Sequence, residues 1–423
     1  MSQAVPVYDL VGVGFGPSNL ALAIALTEHN AVSPDKTTGV FLERQPRFGW
    51  HRGMLIEDAT MQVSFLKDLV TLRNPTSEFS FLCYLHSKDR LIDFINHKNL
   101  FPLRVEFHDY LEWAAAKVDD LVCYGHEVLG VEPAGGFLDV TVRSPDGVSV
   151  YRARNVVFAT GLRPHLPAGV VPSRRVWHNR ALLERAGELE GGRFVVVGAG
   201  QSAAEVVAFL HERFPAAEVC AVFSRYGYSP ADDSAFANRI FDPAAVDAFY
   251  DAPADVKQSL VDYHANTNYS VVDIDLIDEL YRRVYREKVL GAQRLRLFNV
   301  SRVTGTVETA SGVQTTVESL ATGERTVLDA DAVIYATGYR PADPGPLLAS
   351  CPCDRDEAGR LRVGRDYRVV TDPDLGPGIY LQGGTEHTHG ITSSLLSNTA
   401  IRAAEILASI AGVGVPAPQF TTA

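Results

Sequence analysis

Tyr8-Asp9-Leu10-Val11-Gly12-Val13-Gly14-Phe15-Gly16-Pro17-Ser18-Asn19 is the stretch on which the reading of this chain turns. The run to Val13 reads as a short buried strand, Gly14–Asn19 as a turn, and Leu20–Leu26 as the start of a uniformly apolar helix. Glycines at a strand–helix turn let the backbone come close to a pyrophosphate. The helix N-terminus then aims free N–H groups and a partial positive charge at it. Gly14 and Gly16 fill the first two glycine positions of GxGxxG, with Pro17 and Ser18 between them and Asn19. Asn19 stands where close helix–strand packing usually asks for glycine, so it carries a cost or a compensating hydrogen bond. Phe41-Leu42-Glu43 gives a second strand ending in an acid, somewhat beyond the roughly 20-residue spacing usual for a ribose-binding carboxylate. The loop Thr37–Gly39 can absorb the difference.

The same sentence is written a second time. Phe194–Val197 is an apolar strand, Gly198-Ala199-Gly200-Gln201-Ser202-Ala203 a turn, and Ala204–Leu210 a helix start. Here the following strand, Val219–Phe223, ends in Ser224-Arg225 with no acid. A carboxylate would repel a 2′-phosphate, whereas a hydroxyl and a guanidinium welcome it. The first site therefore favours a 2′-hydroxyl dinucleotide such as FAD, and the second NADPH. Two such sites in one chain imply electron transfer from a nicotinamide to a flavin.

An internal echo organises the rest. Val156–Pro164 (VVFATGLRP) is matched by Val333–Pro341 (VIYATGYRP), each an apolar strand ending in a glycine turn, with Thr337 and Gly338 in the second copy. The two copies bracket the second nucleotide unit, which predicts an α/β fold of two Rossmann-like dinucleotide-binding domains, the second inserted in the first. The expected division is residues 1–170 with 335–423 for FAD, and 171–228 with 300–334 for NADPH. Residues 229–299, rich in aromatics, Asp and Asn and with helical spacing over Val272–Val289, form a smaller, mainly helical substrate-binding segment. Gly412–Ala423 is expected to fray.

Composition removes several classes. A net charge of −12 speaks against a nucleic-acid binder, which more usually carries a basic face. No apolar run approaches the ~20 residues needed to cross a bilayer. Met1–Pro6 carries no Lys or Arg, so no signal peptide is expected and a cytoplasmic location is. The cysteines at 83, 123, 220, 351 and 353 are odd in number and irregular in spacing, which argues against a disulfide framework. Cys351-Pro352-Cys353 reads as a surface loop rather than a redox pair. His387 and His389 lie at i, i+2 in GGTEHTHGI, a loop better suited to the flavin side than to a metal, so no metal site is expected.

Seven strings then carry a family resemblance: GVGFGPSNLALA from Gly12, FGWHRGMLIEDATMQVSFLKDLVTLRNPTSEFSFLCYL from Phe48, VVVGAGQSAAEV from Val195, ADDSAFANRIFDP from Ala231, NTNYSVVD from Asn266, ATGYRP from Ala336 and HTHGITSSLLS from His387. Over Tyr8–Ile406 the chain resembles the class B flavin-dependent N-hydroxylating monooxygenases, and among them the L-ornithine N5-monooxygenases of siderophore and peptide biosynthesis. In that family Asn is usual at the Asn19 position. The resemblance implies that NADPH reduces FAD, that NADP+ stays bound, and that dioxygen adds at the flavin C4a. The distal oxygen of that hydroperoxide is then attacked by the neutral side-chain amine of L-ornithine, giving N5-hydroxyornithine. The flavin carries the chemistry, so no catalytic protein nucleophile or acid–base pair is expected.

The resemblance also assigns residues. Lys67 would pair with the substrate α-carboxylate, and Asn238 would bind the same head group. Asn268 would touch substrate and nicotinamide nucleotide, and Ser397 would lie near the substrate ammonium. Gln62 would stand close to flavin and NADP+, and Trp50 and His51 in a flavin-contacting stretch, with Leu395 beside the cofactor. Close relatives imply a homo-oligomer, a dimer or tetramer. The alternatives are a lysine N6- or diamine hydroxylase such as one for putrescine, a nicotinamide–disulfide reductase, which would need a CxxC or CxxxxC that is absent, and a non-catalytic nucleotide-binding regulator.

Overall fold

The computed structural model describes residues 6–412; the expected fraying of the C-terminal dozen lies outside them apart from Gly412. The chain begins with β1 (Leu10–Val13), α1 (Pro17–Val32), β2 (Gly39–Glu43), α2 (Arg104–Ala116), β3 (Val122–Tyr124) and β4 (Asn155–Phe158). It continues through β5 (Val176–His178), β6 (Arg193–Val197), α3 (Gln201–Arg213), β7 (Glu218–Val222), α4 (Pro243–Asp251), α5 (Ala254–His264), α6 (Ile274–Leu290) and β8 (Leu295–Phe298). It closes with β9 (Ala332–Tyr335), β10 (Gly378–Leu381) and α7 (Thr399–Ala411).

Two parallel five-stranded sheets result, ordered β10-β4-β1-β2-β3 and β5-β9-β6-β7-β8. The first draws its strands from both ends of the chain and the second from the middle, so one nucleotide fold is inserted in the other. The segments echoed in the sequence run side by side where the chain crosses: Leu162–Pro164 pairs antiparallel with Tyr339–Pro341, Arg163 opposite Arg340. Strands buried on both faces read as continuous apolar runs, which is why β1, β4, β6 and β9 were legible. The stretch Leu20–Leu26 of helix α1 is apolar all round because it is covered on both sides: Asn19–Leu26 are buried against the sheet and against α7. Two antiparallel sheets, built from Glu127–Ala134, Phe137–Ser144 and Gly147–Ala153, and from Ser301–Glu308, Val313–Ser319 and Arg325–Ala330, flank the parallel ones.

Three details differ from the sequence expectation. The first strand begins at Leu10; Val7–Tyr8 instead pairs with Arg152–Ala153, and the Asp9 carboxylate turns away to accept from Thr38. The expected helical segment 229–299 contains β8, an edge strand whose Leu-Arg-Leu-Phe alternation lacks the apolar run of a central strand. Helix α6 lays Leu276, Ile277, Leu280 and Val284 into the core of the second nucleotide unit, so these elements pack with that unit. Cys351 is a core residue rather than part of a surface loop: it is 8% exposed and its thiol donates to the Val131 carbonyl. Burial pushes that thiol up to about 11, and all five cysteines are free. No helix among the described residues is long and apolar enough to cross a membrane.

One ion pair ties the two nucleotide folds. Arg104, at the start of α2, meets Glu205 of α3 through two bonds, Nη2–Oε1 at 2.6 Å and Nη1–Oε2 at 2.8 Å, and Nη1 also donates to the Met54 carbonyl. Both side chains are largely buried, at 13% and 5% exposure. Removing one partner strands the other charge away from water. Glu205→Ala should therefore lower stability by roughly 3 kcal/mol or more. The double variant Arg104→Met/Glu205→Leu should recover most of that loss in calorimetric melting. An unchanged midpoint for Glu205→Ala alone would show that the pair does not join the folds.

Candidate active site

The first turn is shaped by what surrounds each residue. Gly14 has φ +83°, and a Cβ there would lie 2.7 Å from the Ala159 carbonyl oxygen, so only glycine fits. Gly16 is different: a Cβ there would meet nothing within 4 Å, which leaves its backbone open on the side where an anion can approach. Pro17 takes the first position of α1, where its missing N–H costs nothing. Asn19 is fully buried and its Nδ2 donates to the Gly14 carbonyl at 2.7 Å, the compensating bond that its position demanded. Glu43 ends β2 with a buried carboxylate. One oxygen accepts from the Phe15 N–H at 2.7 Å and the other from Gln45 at 2.8 Å, so the acid faces the turn itself.

Around that turn lies a cavity lined by Ser18, Thr160, Gln382, Gly383 and Ser394, among others. Gln382 is 3% exposed with neither amide atom partnered, and the Ser394 hydroxyl is likewise buried and unpaired. Buried polar groups are almost always satisfied. Orphans grouped around an open glycine turn are what a polar, phosphate-bearing ligand would complete, so the residues present fit a dinucleotide.

The second turn repeats the first. Gly198 has φ +140° and a Cβ there would lie 2.3 Å from the Ala336 carbonyl oxygen, the counterpart of Gly14 and Ala159. Gly200 is covered by Ser270, whose Cα would stand 3.3 Å from an added Cβ. Gln201 spans two elements: its Oε1 accepts from the Asp273 N–H at 2.8 Å and its Nε2 donates to Glu205 at 3.0 Å. Ser202 follows it in α3. Ser224 and Arg225 lie exposed just past β7, and Arg225 Nη1 donates to the Ser270 carbonyl at 2.9 Å. That bond draws the segment bearing Asn268 to the second turn. Thr337 donates to the His165 carbonyl, and the Gly338 carbonyl accepts from His165 N–H and faces His178 Nε2 at 2.9 Å.

Trp50 and His51 form an edge-on aromatic pair with centroids 4.7 Å apart, continued from His51 to Tyr339 at 5.9 Å. These side chains link the first domain to the second crossing segment. His51 has φ +50°, and although part of its ring meets solvent, loss of hydration among its neighbours pushes it down to about 4. The positive fields of Arg104, Arg180 and His108 act in the same direction, so the ring is neutral at neutral pH. Gln62 is exposed and reaches only Thr60, at 3.5 Å.

The four residues assigned to substrate lie on four separate stretches of chain. Lys67 sits half-buried on a loop held from beneath by Asp68. That carboxylate is turned inward to accept from the N–H groups of Val70, Thr71 and Phe81, and does not pair with Lys67. Lys67 Nζ lies 5.4 Å from the centre of the Phe241 ring, which brings it to the short helical turn Ala237–Phe241 that contains Asn238. Burial holds the Lys67 ammonium below the usual lysine range, with Asp242 pulling the other way. Asn238 spends its amide donor on the Asp233 carbonyl at 2.6 Å. The Ala237–Phe241 turn packs on Ile391–Ser394, which leads to Leu395 and the buried Ser397. Asn268 follows the turn Ala265–Thr267 beside Ser270. The geometry thus joins Lys67, the Asn238 turn and the 391–397 loop on one side, and Asn268 with the second glycine turn on the other. His387 and His389 are engaged by carbonyls, Nε2 to Leu361 at 3.0 Å and to Arg365 at 3.1 Å, and His389 stacks on Tyr367 at 4.1 Å.

Arg104, Gln382, Ser394 and Arg402 were missed. Arg402 alone left a signal: it falls among buried Thr399, Ala403 and Ile406 on the core face of α7, where a cation is out of pattern.

A family model described as L-lysine 6-monooxygenase/L-ornithine 5-monooxygenase matches residues 6–341. An L-ornithine N(5)-monooxygenase of Burkholderia cepacia is 41% identical over 92% of this chain and 91% of its own. An ornithine N-hydroxylase of Kutzneria sp. 744, solved with reduced FAD, NADP+ and L-ornithine, superposes with a TM-score of 0.93 at 49% identity, over 96% of this chain and 99% of that one. An L-lysine 6-monooxygenase of Pseudomonas syringae gives 0.83 at 32%, over 96% and 99%. Two glycine turns, an acid at one and an arginine at the other, and a match along nearly the whole length lead to one conclusion: the chain belongs to the L-lysine 6-monooxygenase/L-ornithine 5-monooxygenase family.

Proposed function

We propose that this protein N-hydroxylates the side-chain amine of L-ornithine with NADPH and dioxygen, using FAD, and so supplies N5-hydroxyornithine to siderophore or peptide natural product biosynthesis. The observation that carries the reading is the half-buried Lys67 at the Asn238 turn, in a chain matched over nearly its full length by an ornithine N-hydroxylase. FAD, when bound, supplies the activation of dioxygen. The chain's own residues bind and orient. Gly14, Gly16, Pro17, Ser18 and Asn19 cradle the flavin dinucleotide's diphosphate, Glu43 takes its ribose, and Trp50, His51, Gln62 and Leu395 border the flavin end. Gly198, Gly200, Gln201 and Ser202 hold the NADPH diphosphate, Ser224 and Arg225 its 2′-phosphate, and Thr337 and Gly338 stand at the crossing between the two.

Lys67 and Asn238 fix the amino-acid head group, Ser397 lies near the substrate ammonium, and Asn268 meets both substrate and nicotinamide nucleotide. A cation at one end of the substrate leaves the amine end free to face the flavin. An alkylammonium has no lone pair, so the reacting form is the free amine.

Assembly as a dimer or tetramer is supported by α6, whose outer face exposes Ile274, Tyr281, Tyr285 and Val289. These lie at helical spacing and form an apolar stripe of the kind that subunit contacts cover. A cytoplasmic site of action accords with dependence on NADPH.

Incubation with FAD, NADPH and, separately, L-ornithine, D-ornithine, L-lysine and putrescine should give hydroxylamine with L-ornithine. Hydrogen peroxide with every amine and hydroxylamine with none would reject the substrate. Lys67→Ala should cut kcat/KM for ornithine about 10- to 100-fold, the worth of a lost charge-assisted hydrogen bond, and leave putrescine nearly untouched. Equal losses would remove the carboxylate role. Arg225→Ala should raise the KM for NADPH about tenfold without changing that for NADH. Parallel changes for both would trace the effect to the freed Ser270 segment.

A further inference from the structure

An arginine almost never lies fully buried without a carboxylate, because its guanidinium gives up strong hydration. Arg402, on α7, is 2% exposed and is the largest fully buried side chain among the described residues. Its Nη1 donates to the carbonyls of Thr392 at 3.3 Å and Ser393 at 2.9 Å. Its Nη2 donates to the hydroxyls of Thr399 at 3.2 Å and Ser18 at 3.5 Å, and Nε has no partner. Every partner is neutral. Glu405, the acid whose field reaches it, is held by Arg365 through bonds of 3.1 and 2.9 Å. No described carboxylate forms an ion pair with Arg402. The protein interior thus holds a cation that no carboxylate among the described residues pairs with.

The position of that cation says what would. Ser18 belongs to the first turn of α1, two residues after the open Gly16, and it lines one cavity with Gln382, Gly383, Ser393 and Ser394. The helix N-terminus makes this spot favourable for an anion. A guanidinium behind Ser18 adds a full charge from the protein side, in surroundings that screen it weakly.

We propose that Arg402 is the built-in counter-charge for the diphosphate of FAD, acting through Ser18 and the Thr392–Ser394 loop rather than by contact. The inference rests on the reading of the first turn as the FAD site. Arg402 is a positioning residue: it sets the loop by its carbonyl bonds and the local potential by its charge. The apoprotein carries the cost of the unneutralised cation, and the dinucleotide relieves it, so cofactor affinity and folding stability are linked at this one side chain.

The test separates charge from shape. Arg402→Gln keeps donors for the loop carbonyls and removes the charge; Arg402→Lys keeps the charge and loses the fork. FAD affinity is read by flavin fluorescence on full-length apoprotein, alongside the thermal midpoint of each apo form. The glutamine variant should bind FAD at least about tenfold more weakly while its apo midpoint stays at or above the wild-type value, and the lysine variant should stay within about threefold. Riboflavin, which lacks the diphosphate, should not distinguish the three proteins.

Wild-type affinity in the glutamine variant overturns the proposal, as do equal losses in both variants with parallel falls in apo midpoint. Should the glutamine variant fail to fold, the lysine variant decides alone: retained affinity supports the counter-charge, and loss beyond about tenfold overturns it. A wild-type apoprotein that takes up no FAD would reject the underlying site as well, an outcome distinct from any of these.

Discussion

The close approach of a glycine to a neighbouring strand's carbonyl, made once in each nucleotide fold, is the constraint on which the architecture depends. Gly14 stands against the Ala159 oxygen and Gly198 against the Ala336 oxygen, at distances no side chain tolerates. Ala159 and Ala336 open the two ATG turns, which lead into the antiparallel pair Leu162–Pro164 and Tyr339–Pro341. Each glycine turn is thereby clamped to one of the two strands by which the chain leaves and re-enters the first domain. The two glycine turns and the domain crossing are a single piece of backbone geometry. A shift of one crossing strand would move a glycine turn with it.

Charge carries that coupling further than the backbone does. Arg104 reaches from α2 to Glu205 on α3, Glu205 accepts from Gln201 in the second turn, and Gln201 accepts from Asp273 at the head of α6. One path of hydrogen bonds therefore runs from the first domain through the second cradle to the segment beside Asn268. On the far side, Arg365 joins Glu405 of α7 to Asp247 of α4, which ties α4 to the C-terminal helix. Both connections are made by arginine. A planar fork can meet two carboxylate oxygens at once and fix orientation as well as distance, which a lysine could not do.

The sequence carried the parts that are repetitive and apolar. β1, β6 and the paired echoes were readable because strands buried on both faces are unbroken apolar runs ending at glycine. The acid–arginine contrast between Glu43 and Arg225 was legible too, because a 2′-phosphate would change the sign of the favoured partner. What stayed hidden has physical causes too. β8 is an edge strand, so its Leu-Arg-Leu-Phe resembles the charged helix before it. Cys351 looks like loop chemistry beside Pro352, yet its side chain packs beneath a strand that is distant in sequence. Arg104 has no local signature, since its partner lies on another domain.

The proposed substrate site is the least legible part for a reason that follows from its construction. Lys67, Asn238, Asn268 and Ser397 come from four loops or turns whose mutual placement depends on both domains and on the inserted helices. Each is held by bonds that local spacing does not encode: Asp68 with three backbone N–H groups under Lys67, the Asp233 carbonyl on Asn238, the Arg225 contact drawing in Ser270. Discrimination between amines that differ by one methylene involves only ~1–3 kcal/mol. In the proposed site such discrimination would depend on the distance between Lys67 and the flavin end, a length that no motif carries by itself. The two glycine turns are written in motifs, while the proposed substrate residues are brought together only by the spacing between loops that those turns hold in register.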